Sequence, residues 1–263
     1  MNINPEQICE IAIKAGQKIM HFYDEDLSVS LKNDQSPLTQ ADMAAHNLIV
    51  SQLKKHYPEI PIISEEDSNR SEISNSIFFL VDPLDGTKEF IKKNGEFTVN
   101  IALVVEAQPI LGVVYAPALK TIYYAKKNLG AFKAQVNHLV MLENQKLINN
   151  NVIHNYLRVV ASRSHANQDL DNWLAQLQVS YEIRNAGSSL KFCLLAENEA
   201  DVYPRLGPTA YWDTAAAQCI LECAGGVVLN MQSLQPLSYS LNDQLLNPFF
   251  IAYKHQNFKL RLA

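Results

Sequence analysis

Ile77-Phe78-Phe79-Leu80-Val81-Asp82-Pro83-Leu84-Asp85-Gly86-Thr87 joins an unbroken apolar run to two carboxylates and a turn. The apolar part reads as a β-strand. A carboxylate at the end of such a strand sits beside the core and is costly to desolvate unless it is paired or metal-bound. Pro83 fixes its own backbone dihedral and removes a donor, while Gly86 permits a tight approach before the next helical turn. The stretch can therefore aim two carboxylates and the Leu84 carbonyl at one point. Oxygen-only ligands suit a hard cation such as Mg²⁺, which commonly bridges carboxylates to a substrate phosphate.

Downstream, residues 98–105, 110–115 and 121–124 are strand-like, rich in β-branched and aromatic side chains and punctuated by Gly and Pro. Upstream, Asn4-Pro5-Glu6-Gln7 looks like a capped helix start with a Gln reaching back. Ile8, Ile11, Ala12, Ala15, Ile19 and Phe22 follow it at helical spacing. A second helix is expected over 41–56, opened by a Thr39/Asp42 capping box and stopped by Pro58 and Pro61. Two helices followed by strands predict an α+β layer. Residues 135–156, weakly periodic and rich in Asn, Gln and His, mark a boundary between an N-terminal α+β domain over 1–140 and a C-terminal α/β domain over 150–263. In the second half, strands are expected over 158–161, 179–183, near Val202 and over 227–229. Helices are expected over 168–177, 189–197 and 214–224, the last stopped by Gly225-Gly226.

The chain has 263 residues, with 22 Lys plus Arg against 27 Asp plus Glu, a net charge of −5. Hydrophobic residues at 48% and charged residues at 19% exclude a disordered chain. The negative balance argues against a nucleic-acid polymer or an anionic membrane surface as partner. No apolar run reaches the roughly 18 residues needed to span a bilayer, so the expected location is cytoplasmic. Four scattered cysteines, Cys9, Cys193, Cys219 and Cys223, do not make a disulfide framework. Cys219 and Cys223, four apart in a predicted helix, read as buried packing.

Acids recur at other element ends. Ser64-Glu65-Glu66-Asp67 closes a short apolar run, and Tyr211-Trp212-Asp213-Thr214 opens an Ala-rich helix. Taken singly, Asp213 is a good helix cap and Glu66 and Asp67 read as a solvated loop. Taken together, clustered acids in a chain of net charge −5 would repel a phosphate ester, and bound divalent cations would reverse that sign and support two-metal hydrolysis. Gly86 and Thr87 would then open a helical turn whose N–H groups hold phosphate oxygens.

At these residues the sequence resembles the lithium-sensitive, Mg²⁺-dependent phosphatases that include inositol monophosphatase and 3′(2′),5′-bisphosphate nucleotidase. The resemblance runs in order through Ser36-Pro37-Leu38-Thr39-Gln40-Ala41-Asp42, Ser64-Glu65-Glu66, residues 82–87 and Trp212-Asp213-Thr214-Ala215-Ala216. Asp85-Gly86-Thr87-Lys88-Glu89-Phe90-Ile91, Asn94-Gly95-Glu96-Phe97-Thr98-Val99-Asn100 and Gly187-Ser188-Ser189-Leu190-Lys191-Phe192-Cys193 look like the bacterial CysQ-type bisphosphate nucleotidase branch, with support from Ser162-Arg163-Ser164-His165 and Tyr203-Pro204-Arg205.

The resemblance implies a layered αβαβα sandwich and a phosphoric monoester hydrolase that takes 3′-phosphoadenosine 5′-phosphate to AMP and phosphate within sulfate assimilation. It implies two or three Mg²⁺ ions, with Glu65, Asp82 and the Leu84 carbonyl on one and Asp82, Asp85 and Asp213 on a second. Asp42, Thr87 and Glu65 would be catalytic, Thr87 working with Asp42 to orient and deprotonate the attacking water. The substrate would meet Glu65, Leu84, Asp85, Gly86, Thr87 and Asp213, and its second phosphate and sugar would meet Ser188, Lys191 and Arg205, unless Lys191 and Arg205 are surface charges. The expected partner is a small phosphorylated nucleotide, with a monomer or homodimer and a peripheral place at the cytoplasmic face of the inner membrane both open. An inositol or sugar monophosphatase, or a non-catalytic nucleotide or metal sensor, would share the acids.

Overall fold

Phe79 and Val81 enter one hydrophobic core and Phe78 and Leu80 another, the alternation of a strand covered on both faces. That is why the run beginning at Ile77 has no polar residue until Asp82. The computed structural model describes residues 3–23, 30–31, 37–38, 40–67, 76–150, 155–162, 168–241 and 244–258. In chain order its elements are α1 (Pro5–Tyr23), β1 (Ser30–Leu31), β2 (Pro37–Leu38), α2 (Gln40–His56), β3 (Ile62–Ser64), β4 (Ile77–Asp85), α3 (Thr87–Ile91), β5 (Thr98–Val105), β6 (Gln108–Ala116), β7 (Thr121–Lys126), β8 (Gly130–Asn137), β9 (Val140–Met141) and β10 (Gln145–Leu147), followed by β11 (Leu157–Ser162), α4 (Gln168–Leu174), β12 (Tyr181–Ala186), α5 (Leu190–Ala196), β13 (Val202–Arg205), α6 (Ala215–Ala224), β14 (Val227–Asn230) and β15 (Phe250–Tyr253).

The larger sheet runs β10-β8-β7-β6-β5-β4-β3, with β9 paired to β8. Its pairings are antiparallel except β3 with β4. The second sheet runs β12-β11-β13-β15-β14, parallel across its first three strands and antiparallel across the rest. Helices α1 and α2 cover one face of the larger sheet, while α5 and α6 lie between the two sheets. On the far side of the second sheet, Trp173 and Leu174 of α4 pack with Leu157, Val159, Val202 and Ile251. The result is the αβαβα layering that the resemblance implied.

The middle helix sits unusually close to the larger sheet. A Cβ on Gly112 of β6 would lie 2.1 Å from the Ala216 carbonyl oxygen, so only glycine admits the backbone of α6 there. This contact places the start of α6, and with it Asp213, above the ends of β4 and β5.

Several local readings change. Asn4 does cap α1, accepting from the Glu6 N–H at 3.0 Å. Gln7 does not reach back: its amide meets His56 Nδ1 at 2.9 Å and accepts from the Tyr57 hydroxyl at 2.6 Å, tying α1 to the end of α2. Residues 135–147 carry the end of β8, then β9 and β10, all in the larger sheet. The strand at Phe250–Tyr253 had no counterpart among the expected elements. Thr39, of the expected capping box, and Arg163, Ser164 and His165 lie outside the described residues. Among the described residues, no helix is long and apolar enough to cross a membrane.

A candidate metal and phosphate site

β4 pairs with β5 as far as Asp82 opposite Asn100, and pairing resumes with Asp85 opposite Thr98. Pro83 and Leu84 thus face Val99 alone, which is a β-bulge. Pro83 has no N–H to give the ladder, so the irregularity falls where a bond is missing anyway. The Leu84 N–H turns to Asp82 Oδ1 at 3.1 Å, and the Leu84 carbonyl accepts from the Thr87 hydroxyl at 3.3 Å. Gly86, at φ 91°, then turns the chain into α3. Two consecutive carboxylates of a buried strand are re-aimed in this way, Asp82 directly and Asp85 after the bulge.

Other elements deliver the remaining acids. The Glu65 N–H donates to the Val81 carbonyl at 3.0 Å, which sets Glu65 beside Asp82 through the parallel β3–β4 pairing. Asp213 Oδ2 accepts from the Ala210 N–H at 2.9 Å, closing a tight turn before α6. Thr214, not Asp213, occupies the capping position of α6, so the cap reading for Asp213 is corrected. Carboxylate oxygens of Glu65, Asp82 and Asp213 all lie within 4.8 Å of one another. Asp42 is buried in the first turn of α2.

Burial and mutual repulsion act on the whole group. Burial, then the charges of Glu65, Asp85, Asp213 and Asp42, hold Asp82 well above the usual carboxylate range. Burial, then Asp85 and Glu65, push Asp213 up to about 8. Burial also raises Asp85, opposed by the Lys191 charge and by bonds from Asn100 and Ser189. Like charges held this close in a buried place are unstable without a counter-charge. An all-oxygen donor set with that excess of negative charge fits a hard divalent cation.

A cleft of about 450 Å³ is lined by Lys88, Lys191 and Arg205 together with Glu65, Asp85 and Asp213. Lys191 is not a surface charge. Only 8% of it is exposed, its Nζ donates to the Ser188 carbonyl at 2.6 Å, and it stands 5.9 Å above the Tyr203 ring. Burial lowers its pKa, while Asp85 pulls the other way. Arg205 is half-buried, with Nη2 donating to the Pro208 carbonyl at 2.8 Å. Gly86, Thr87 and Ser188 line the same cleft.

Asp67 is also more than a solvated acid. Its Oδ2 accepts from the Ser64 N–H at 3.0 Å and its Oδ1 lies 3.8 Å from His46 Nε2, while His46 Nδ1 meets the Ser64 hydroxyl at 2.9 Å. This small network fixes the turn that carries Glu65. Sequence reading also gave no role to Asn100, Ser189 and Glu96. Asn100 Nδ2 donates to Asp85 Oδ2 at 3.2 Å and to the Ser189 hydroxyl at 2.9 Å, and that hydroxyl donates to the Asp213 carbonyl at 2.7 Å. The available signal was a polar residue amid the apolar run of β5, where burial demands a partner.

Comparison with known proteins agrees with this geometry. The family model described as inositol monophosphatase family matches residues 5–252. The chain belongs to the inositol monophosphatase family. Within that family it is 46% identical over 251 residues, 93% of this chain and 97% of the relative, to the 3′(2′),5′-bisphosphate nucleotidase CysQ of Salmonella typhimurium. It is 34% identical to the protein of the same name from Haemophilus influenzae, over 97% of this chain and 94% of that one. Among solved structures, CysQ from Bacteroides thetaiotaomicron, an inositol monophosphatase family member, superposes with a TM-score of 0.83 at 39% identity, covering 96% of this chain and 98% of the other.

Proposed function

We propose that this member of the inositol monophosphatase family is a 3′(2′),5′-bisphosphate nucleotidase. Its reaction is hydrolysis of 3′-phosphoadenosine 5′-phosphate, a by-product of sulfate assimilation, to AMP and phosphate. The observation that carries this reading is that one cleft is lined both by the carboxylates Glu65, Asp85 and Asp213 and by the buried Lys191 with Arg205. A substrate with one phosphate to cleave and another to hold needs both kinds of group. The cleft volume, about 450 Å³, is within the usual range for small-ligand sites.

Glu65, Asp82, Asp85, Asp213 and the Leu84 carbonyl would hold Mg²⁺, two or three ions in the full site. Bound there, the cation supplies Lewis-acid stabilisation of the phosphoryl oxygens and neutralises the acidic cluster. The chain's own groups do the rest. The Gly86 and Thr87 N–H groups would grip the scissile phosphate, since both residues line the cleft at the opening of α3. Thr87 and Asp42 would orient the attacking water and accept its proton as the bond from phosphorus to the 3′ oxygen breaks. Ser188, Lys191 and Arg205 would receive the second phosphate and the sugar, Arg205 offering a planar fork and Lys191 a point charge.

The test is phosphate release from 3′-phosphoadenosine 5′-phosphate against inositol 1-phosphate, with and without Mg²⁺. A preference for the nucleotide that depends on Mg²⁺ supports the reading. A clear preference for the inositol ester overturns it in favour of an inositol or sugar monophosphatase.

A further inference from the structure

The stretch that carries Ser188 and Lys191 meets in space a second stretch to which the proposed chemistry gives no role. Residues 94–100 follow α3, and residues 187–191 lead into α5. Glu96 Oε2 accepts from the Gly187 N–H at 2.9 Å, and the Glu96 carbonyl accepts from the Ser188 hydroxyl at 3.0 Å. A Cβ on Gly187 would lie 2.7 Å from that same carbonyl oxygen and 2.8 Å from Glu89 Cγ, so the two backbones are as close as glycine allows. Ser188 is held at φ 41°, a left-handed conformation that a non-glycine residue adopts only when its surroundings dictate it. Its carbonyl in turn accepts from Lys191 Nζ at 2.6 Å. The position of the Lys191 ammonium is therefore set through Ser188, and that of Ser188 through Glu96.

The same loop pair also reaches the phosphate-holding turn. A Cβ on Gly86 would be 3.3 Å from both Ser188 Cβ and the Glu96 carbonyl. Gly86, Glu96 and Ser188 thus form a three-way junction between the turn that would hold the scissile phosphate and the segment that carries Lys191. If the Gly86 turn receives one phosphate and Lys191 the other, fixing the spacing of these two parts fixes the interval between the phosphates. A substrate bearing one phosphate makes no such demand.

We propose that Glu96 is a specificity-positioning residue, which clamps the 187–191 segment so that the cleft favours a nucleotide with a second phosphate over one with a single phosphate. Glu96 need not touch the substrate. Its carboxylate acts through the Gly187 N–H, one residue before the Ser188 whose carbonyl receives Lys191. This inference rests on the bisphosphate nucleotidase reading and adds to it the device that measures the interval between phosphates.

The experiment compares kcat and KM for 3′-phosphoadenosine 5′-phosphate and adenosine 3′-monophosphate in the wild type, Glu96→Ala and Glu96→Gln. Losing the amide acceptor should lower the ratio of kcat/KM values, bisphosphate over monophosphate, about tenfold in Glu96→Ala, with most of the loss in KM for the bisphosphate. Glu96→Gln keeps a side-chain oxygen for the Gly187 N–H and should recover most of the ratio. A wild type that discriminates, together with a Glu96→Ala variant that discriminates equally well, overturns the clamp alone. So does a Gln variant no better than Ala. A wild type indifferent to the second phosphate overturns the bisphosphate nucleotidase reading and the clamp with it.

Discussion

Asn100 and Ser189, 89 positions apart in the chain, are joined by a hydrogen bond of 2.9 Å from the Asn100 amide to the Ser189 hydroxyl. Because Asn100 also donates to Asp85 and Ser189 also donates to the Asp213 carbonyl, one chain of bonds ties the Asp85 carboxylate, at the end of β4, to the backbone of Asp213, in the turn before α6.

Asn100→Ala removes both donations and leaves Asp85 with a weaker set of partners. The expected result is phosphate release slowed by about tenfold or more, with a higher Mg²⁺ concentration needed for half-maximal rate. Initial rates across a Mg²⁺ series check this. A variant with the wild-type rate and wild-type Mg²⁺ dependence would show that Asp85 needs no such support.

The acid cluster should also show in the pH dependence of stability. Asp213 rises from an ordinary value of 3.8 to about 8 on folding, through burial and then Asp85 and Glu65. A group raised in this way contributes stability that is complete below its unfolded value and is lost as pH rises through its folded value. Asp82 and Asp85 are shifted in the same direction. In the presence of a chelator, the melting temperature should therefore fall as pH climbs from about 4 to about 8, and added Mg²⁺ should flatten the fall by favouring the ionised carboxylates. Thermal melts with chelator and with Mg²⁺ decide it, and parallel slopes in the two series would count against a cation at these residues.

A second charge cluster serves stability. Asp201 Oδ1 accepts from Arg158 Nη2 and Lys254 Nζ, each at 2.8 Å, and Lys254 is fully buried. Burial pushes Asp201 up, but the bonds from Arg158 and Lys254 outweigh it and hold the carboxyl below its usual value. Its contribution is thus present above the unfolded value and lost as pH falls through the folded one. Asp201→Asn would leave two cations facing a neutral amide and should cost about 3–5 kcal/mol in urea unfolding. A loss under about 1 kcal/mol would mean that the triad relaxes into water when broken.

Much of this was legible in the sequence, and the reasons for the rest are specific. The run before Asp82 announced a buried strand, and acids at the ends of apolar segments announced a site, because both signals are local. β15 was not legible, since its antiparallel partners, β13 and β14, lie well back in the chain and only they give its four residues a reason to extend. The burial of Lys191 was hidden for a similar reason: the Tyr203 ring and the Ser188 turn that cover it come from other elements. Gln7 looked like a capping residue until α2 brought His56 and Tyr57 within reach. Local chemistry named the acids, whereas the bonds that aim them depend on tertiary contacts.

The most direct measurement is calorimetric titration of Mg²⁺ into the wild type and into Asp82→Asn, paired with phosphate release from 3′-phosphoadenosine 5′-phosphate. Asn keeps the shape of Asp82 and the oxygen that receives the Leu84 N–H, so the fold should survive. If Glu65, Asp82 and Asp213 share a cation, the variant binds Mg²⁺ at least about tenfold more weakly and releases no phosphate above background. Wild-type affinity and turnover in Asp82→Asn would contradict a metal site at the convergence of these carboxylates.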